Sequence, residues 1–258
     1  MRVLRSIVQL AFLGGVVALL LRGLAGVTPN TCETYCPFGG LVAIFPLVKY
    51  GAYTCALTEL NVALLVSLVV LTLVSKKSFC SWICPLGTLH EWIGRASRKV
   101  FGRRLRVPQR SDRPLMLIRY AVLIAVPVLT YTVWQYDLGF RKFDPYYILF
   151  TWGGHETAAF SFYIVVGVLA AAFVLPFAWC RYLCPLGAMM DPLSRAGGLR
   201  LRRDAVKCTD CGRCDEACPH GIPVSSLSEV TSRNCTNCFE CVETCPVENT
   251  LELSWFGK

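Results

Sequence analysis

The chain has 258 residues, 54% of them hydrophobic and 17% charged, with a mean hydropathy of +0.49. Soluble domains carry roughly 25% charged residues, so disorder is excluded and a soluble enzyme is disfavoured. A net charge of +9 and 15 cysteines raise nucleic-acid binding and a secreted disulfide scaffold, but both fail on placement: residues 1–207 hold 23 Lys/Arg against 9 Asp/Glu, and residues 208–258 hold 3 against 8 together with eight of the cysteines.

Four apolar runs approach the roughly 20 residues that a helix needs to cross about 30 Å of hydrocarbon. They are about Val3–Val27, Ala56–Val74, Leu115–Trp134 and Phe160–Trp179. Helix is preferred because an isolated strand leaves backbone polar groups unpaired in lipid. The first run also fits a signal peptide, with Arg2 and Arg5 ahead of it and Ala25-Gly26 behind. A retained helix is expected, with Arg22 snorkelling to the interface. The loop between runs two and three holds ten Lys/Arg against Glu91 and Asp112, and the stretch after run four adds six more, from Arg181 to Lys207. The other loops hold only Lys49, Arg141 and Lys142. The positive-inside bias therefore places both termini and the 75–114 loop in the cytoplasm.

Taken in chain order, Cys32-x3-Cys36-Pro37 falls on the outer side, with Cys55 just before run two. In an oxidising compartment a disulfide is the plain reading, although an i,i+4 helical spacing is long for one. The alternative is an outer metal or cluster site of Cys32, Cys36 and Cys55, with Asp144 of the second outer loop as fourth ligand. Cys80-x3-Cys84-Pro85 closes run two and Cys180-x3-Cys184-Pro185 closes run four, 100 residues later. This offset also matches Arg95-Ala96 to Arg195-Ala196, which predicts a tandem repeat of two-helix hairpins. Cysteines at i and i+4 share a helix face, and the proline is expected to end each helix just after its second thiol. Together the four are the right number for a third cluster; redox-active thiols and inert buried cysteines are the other readings. Trp134, Tyr136, Tyr146, Tyr147 and Trp152 read as an interfacial aromatic belt, or as a quinone headgroup site. His155 with Glu156 on the outer side, and His90 on the inner, are candidate proton acceptors.

The C-terminal stretch reads Cys208-x2-Cys211-x2-Cys214-x3-Cys218-Pro219, then Cys235-x2-Cys238-x2-Cys241-x3-Cys245-Pro246. This is the bacterial ferredoxin run twice over, in which the fourth cysteine serves the other cluster. One [4Fe–4S] cluster is thus assigned to Cys208, Cys211, Cys214 and Cys245, and the other to Cys235, Cys238, Cys241 and Cys218. Zinc would leave the third cysteine of each half unexplained. Thr209, Gly212 and Asn237 are expected close to the clusters, and His220 is read as a loop residue rather than a ligand.

Helix pairs ending in Cys-x3-Cys-Pro ahead of a double ferredoxin resemble the NapH/NosR group of membrane-bound polyferredoxins, over nearly the whole chain. The size is NapH-like. The outer flavin-binding domain of NosR-type members and the added C-terminal domain of copper-oxidase accessory relatives have no counterpart. The expected fold is an all-α bundle of four transmembrane helices over residues 1–204, plus a small α+β two-cluster ferredoxin domain over 205–258. The resemblance implies a multi-pass protein of a bacterial or archaeal cytoplasmic membrane that exchanges electrons between quinol and redox partner proteins, other subunits of a respiratory complex. An accessory protein that keeps the metal centre of another enzyme reduced is the alternative. No nucleic-acid partner is expected.

Overall fold

The computed structural model describes residues 1–25, 37–50, 59–102, 107–133, 139–151 and 159–255. The opening helix α1 (Arg2–Leu24) is followed by α2 (Pro37–Tyr50) and α3 (Glu59–Ser75), then by the short α4 (Ser78–Trp82) and by α5 (Pro85–Phe101). The second half repeats the series. Helix α6 (Gln109–Thr132) leads to a 3-10 turn at Gly139–Lys142, then α7 (Pro145–Thr151), α8 (Ala159–Val174), the short α9 (Ala178–Tyr182) and α10 (Pro185–Ala196). Strand β1 (Leu199–Arg203) pairs antiparallel with β2 (Leu251–Trp255), in a register that sets Leu201 opposite Leu253. Between them lie α11 (Arg213–Ala217), a 3-10 turn at Val224–Ser226 and α12 (Glu240–Thr244). Strand β1 precedes the boundary expected at residues 204/205.

Among the described residues, Arg2–Gly23 and Ser111–Thr132 are long and apolar enough to cross a membrane, whereas Glu59–Ser75 and Phe160–Val174 are apolar but shorter. The helical part is polar inside and apolar outside. Val3, Ile7, Leu10, Val66, Val70, Leu117, Ile124, Phe162 and Val166 face outward, while Arg5, Gln9, Asn61, Thr72, His90, Glu91, Arg119 and Asp191 are buried. A water-soluble domain inverts that pattern.

Two sequence expectations need correction. The cysteine pairs do not lie on the ends of the long apolar helices, and each pair does not share one helix. Helix α3 stops at Ser75 and α8 at Val174, each followed by a turn with a left-handed residue, Lys76 at φ 57° and Phe177 at φ 60°. Cys80 and Cys180 then sit on the five-residue helices α4 and α9. Cys84 and Cys184 lie beyond those helices in extended backbone, at φ −65° ψ 116° and φ −67° ψ 114°. The cause is the following proline. It pushes its predecessor out of the helical region, and its fixed φ and missing N–H suit the first position of a helix. Pro85 and Pro185 therefore start α5 and α10 rather than merely ending a helix.

Helices α5 and α10 are amphipathic and were not foreseen. Gly87, Thr88, Glu91 and Gly94 are buried on α5, and Gly187, Ala188, Asp191 and Ser194 on α10, a three-to-four-residue spacing that marks one helix face.

Candidate iron–sulfur sites

The ferredoxin loops bring together the two cysteine sets read from the spacing. Cys208, Cys211, Cys214 and Cys245 line one cavity, beside Thr209 and Gly212. Cys218, Cys235, Cys238 and Cys241 line a second, beside His220, Thr236 and Phe239. Short helices do this. Helices α11 and α12 each follow a left-handed residue, Gly212 at φ 68° and Phe239 at φ 59°. Each ends on an extended cysteine before proline, Cys218 or Cys245, so the fourth thiol leaves its own loop and crosses to the other cavity. The outer cavity is the more exposed. Cys211 is exposed, whereas Cys218, Cys235 and Cys241 are buried.

Both cavities fit a cubane cluster. No disulfide joins the twelve described cysteines to one another. Among the described residues no three His, Cys, Asp or Glu side chains converge tightly enough for a single metal ion. One zinc ion would leave the third cysteine of each run without a role, whereas each cavity gathers four cysteines, the number a cubane cluster takes. The buried Thr250 hydroxyl in the wall of the outer cavity has no protein partner among the described residues.

The paired helix-end motifs also converge. Cys80, Cys84, Cys180 and Cys184 all lie close enough to influence one another's charge. The Cys84 sulfur accepts backbone N–H groups of Leu86 and Gly87 at the start of α5, and that of Cys184 accepts those of Leu186 and Gly187 at the start of α10. Helix N-termini favour negative charge. Burial pushes the bare Cys184 thiol up to about 12 and raises Cys80, Cys84 and Cys180 as well. Gly87 is required by close approach: a Cβ there would lie 2.0 Å from the Cys80 carbonyl oxygen.

The residues between the cysteines grip the ferredoxin fold. Ser81 donates to the Thr236 carbonyl at 2.7 Å and the Trp82 indole to the Asn237 carbonyl at 3.0 Å. Arg181 donates to the His220 carbonyl at 2.7 Å and pairs with Asp112 at 2.5 Å. The Trp82 ring meets Phe239 edge-on at 6.1 Å, and Phe177 stacks between His220 at 4.8 Å and His90 at 6.2 Å. His220 is thus a buried wall residue of the inner cavity, with Nε2 3.3 Å from the Thr236 hydroxyl. Asn237 lies beside the inner quartet, its Oδ1 3.4 Å from the Cys235 sulfur, and its amide also donates to the Ser75 carbonyl at 2.9 Å.

Sequence reasoning missed a matched pair of buried ionic knots. Glu91 on α5 takes Arg5 and Arg95, each at 2.5 Å, and Gln9 at 2.7 Å. Its counterpart at the 100-residue offset, Asp191 on α10, takes Lys77, Arg119 at 2.5 Å and Tyr120 at 2.6 Å. Arg5 continues to Glu240 at 2.5 Å and to the Cys238 carbonyl. The signal was available, since the repeat that aligns Arg95 with Arg195 also aligns Glu91 with Asp191.

The structure places Asp144 just ahead of α7, partly buried, its carboxylate accepting the Tyr146 N–H at 3.0 Å and close enough to influence Cys184. Cys32, Cys36, Cys55, His155 and Glu156 lie outside the described residues, as do Trp134, Tyr136 and Trp152. His90 is buried, with Nδ1 2.8 Å from the Leu86 carbonyl and no partner for Nε2 among the described residues.

Comparison with known proteins agrees with the geometry. A "4Fe-4S binding domain" family matches twice, over residues 60–108 and 157–204, and a "4Fe-4S dicluster domain" matches residues 200–246. The first matches enclose the two Cys-x3-Cys-Pro motifs. The chain is 36% identical to the putative electron transport protein YccM of Escherichia coli over 234 residues, covering 88% of this chain and 64% of that protein. It is 34% identical to an uncharacterized protein of Methanocaldococcus jannaschii over 166 residues, covering 64% of this chain and 67% of that one. It is 28% identical to the ferredoxin-type protein NapH of Escherichia coli over 181 residues, covering 64% and 58%. No solved structure matches significantly. The repeated motif, the double ferredoxin and these relatives agree, and the chain belongs to the NapH/NosR-like family of ferredoxin-type iron–sulfur electron-transport proteins.

Proposed function

We propose that the chain is a membrane-bound electron-transfer subunit that exchanges electrons between the quinol pool and partner redox proteins. The observation that carries this reading is the packing of three cysteine quartets in series. The outer ferredoxin quartet is partly exposed, the inner one is buried, and Trp82 and Arg181, from between the helix-end cysteines, touch the inner cavity's walls. Cys208, Cys211, Cys214 and Cys245 hold one [4Fe–4S] cluster, Cys235, Cys238, Cys241 and Cys218 a second, and Cys80, Cys84, Cys180 and Cys184 a third. Such clusters supply one-electron transfer over a wide range of potentials.

The apolar exterior and polar interior support four membrane crossings by α1, α3, α6 and α8. The 17 residues of α3 and 16 of α8 span roughly 25 Å, and the turns that follow extend them toward the cytoplasmic side. Both termini and the ferredoxin lie on that side, in the cytoplasmic membrane of a bacterium or archaeon. His90, buried beside Phe177 with a ring nitrogen that has no partner among the described residues, is the best-placed described candidate to take a quinol proton.

The test is anaerobic purification of the full chain, an iron and sulfide count, and mixing with a soluble quinol analogue. About 12 iron atoms per chain and rapid bleaching of the cluster absorbance are expected, since each cubane carries four. About 8 iron atoms, with reactive thiols at Cys80 and Cys180, would remove the third cluster. An absence of reduction by quinol would remove the quinol assignment and favour the accessory role.

A further inference from the structure

Lys76 occupies the turn between α3 and α4 and is 1% exposed. It is held at φ 57°, a left-handed conformation that a residue with a long side chain adopts at a cost. Its ammonium donates to the Val230 carbonyl, and Val230 is part of the wall of the inner cysteine cavity. Among the described residues no carboxylate lies within ion-pair distance of it. Its neighbour Lys77 is different, being paired with Asp191. Glu229, the acidic side chain that Lys76 feels, is engaged by Arg200 at 3.1 Å. Arg5, which donates to the Cys238 carbonyl, is matched by Glu91 and Glu240, and Arg181, which donates to the His220 carbonyl, by Asp112. Cys235 of the inner quartet lies close enough to Lys76 to influence its charge. A buried ammonium facing only a carbonyl and a neutral thiol is strongly unfavourable, and strained backbone adds to that cost.

We propose that Lys76 is the counter-charge of the cluster held by Cys218, Cys235, Cys238 and Cys241 and raises its reduction potential, an inference that rests on the cluster reading above. Four thiolates leave such a cluster with net negative charge, and one added electron increases it. A fixed cation within the protein therefore stabilises the reduced form more than the oxidised form, and local charge is among the determinants of cluster potential. Among the described residues the cations beside the outer quartet differ from Lys76: Arg213, next to Cys211, is exposed to solvent. There Asp210 lies 3.5 Å from Cys208 and Asp215 3.7 Å from Cys214, while Arg203 is shared with Asp210. Lys76 is a positioning residue, since it contacts the cluster's surroundings and not a substrate.

The experiment is a potentiometric titration of the purified full chain followed by electron paramagnetic resonance, with iron counted in each sample, for wild type, Lys76→Met and Lys76→Arg. In Lys76→Met one of the two ferredoxin signals is expected to titrate lower, with the oxidised-to-reduced ratio at fixed potential rising about tenfold, which is about 59 mV for one electron. The other signal stays in place, and Lys76→Arg returns the first toward its wild-type position. Unmoved signals in Lys76→Met, or equal movement of both, overturn the proposal. If Lys76→Met loses the inner cluster, retention of it in Lys76→Arg supports the role of charge, and loss in both variants overturns it. Fewer than about eight iron atoms in the wild type would instead sink the cluster reading and this inference with it.

Discussion

Gly87 and Gly187 occupy the same place in the two halves of the chain, yet substitution by alanine is expected to have opposite outcomes. At Gly187 an added Cβ would meet the Cys180 carbonyl oxygen at 3.1 Å, a contact relieved by a shift of a few tenths of an ångström. At Gly87 it would lie 2.0 Å from the Cys80 carbonyl oxygen and 3.1 Å from the Cys80 carbonyl carbon. Those are backbone atoms, and no rotamer change moves them. Helix α5 would have to retreat by more than 1 Å from α4, which pulls Cys84 away from Cys80. Overpacking of this kind costs about 1–3 kcal/mol, sometimes more. Alanine is otherwise favoured over glycine in a helix by up to about 1 kcal/mol, so Gly187→Ala should be near neutral. The same gain applies at Gly87, so the two variants should differ by up to about 2 kcal/mol, roughly 4–8 °C in melting temperature for a chain of this size. The assay compares thermal melting and iron content of both variants in detergent. Gly87→Ala should melt lower and lose about four iron atoms, while Gly187→Ala keeps its full complement. Equal melting points and equal iron would refute the close packing of α4 against α5 and the third cluster built on it.

Serine at Cys80, Cys84, Cys180 and Cys184 together should lower the iron count from about 12 to about 8 per chain while leaving the ferredoxin signals in place; an unchanged count would mean that no cluster sits there. Replacing Arg5 by methionine leaves Glu91 and Glu240 buried with, among the described residues, Arg95, Arg2 and Gln9 to hold them, and should cost about 3 kcal/mol, read as a lower denaturant midpoint. Double substitution of Arg5→Met with Glu240→Gln should recover part of that loss. Tyr182 donates to Asp112 at 2.7 Å, and burial, with the hydrogen bond to Asp112 next, pushes its phenol up to about 12. An acid whose proton is held more tightly in the folded state contributes stability below its unfolded value near 10, and that stability is lost as pH rises from about 10 to 12. Wild type should therefore lose about 2 kcal/mol more than Tyr182→Phe between pH 9 and 12; parallel pH–stability curves would contradict the buried phenol.

The two ferredoxin cavities were legible because their ligands come in short runs. Spacings of two and three residues fix which thiols share a loop, and proline after the fourth cysteine turns it outward whatever surrounds it. The third quartet was legible through the 100-residue repeat, but its local form was not. Cys80 and Cys84 look like one helical face in sequence, and only the start of α5 at Pro85 separates them. Asp144 was expected among outer cysteines; the part of the fold that is described sets it near Cys184. The basic residues were the least legible of all. By count they read only as an expected membrane orientation, and nothing local distinguishes Arg98, on a helix surface, from Arg5, buried against Glu91 and Glu240.

The amino-acid sequence by itself determines the apolar runs, the double ferredoxin, the paired motifs and the opposite charges of the two parts, since each depends on composition or on residues close together in the chain. Tertiary structure alone decides which of those charges are used in the interior. Arg5 meets Glu240 across 235 positions and Lys76 reaches Val230 across 154. A charge finds its partner through space, and a partner that distant leaves no mark on local spacing. The +14 of the first 207 residues is therefore two populations, one on the surface, such as Arg98, and one folded in near the inner cysteines, such as Arg5 and Lys76.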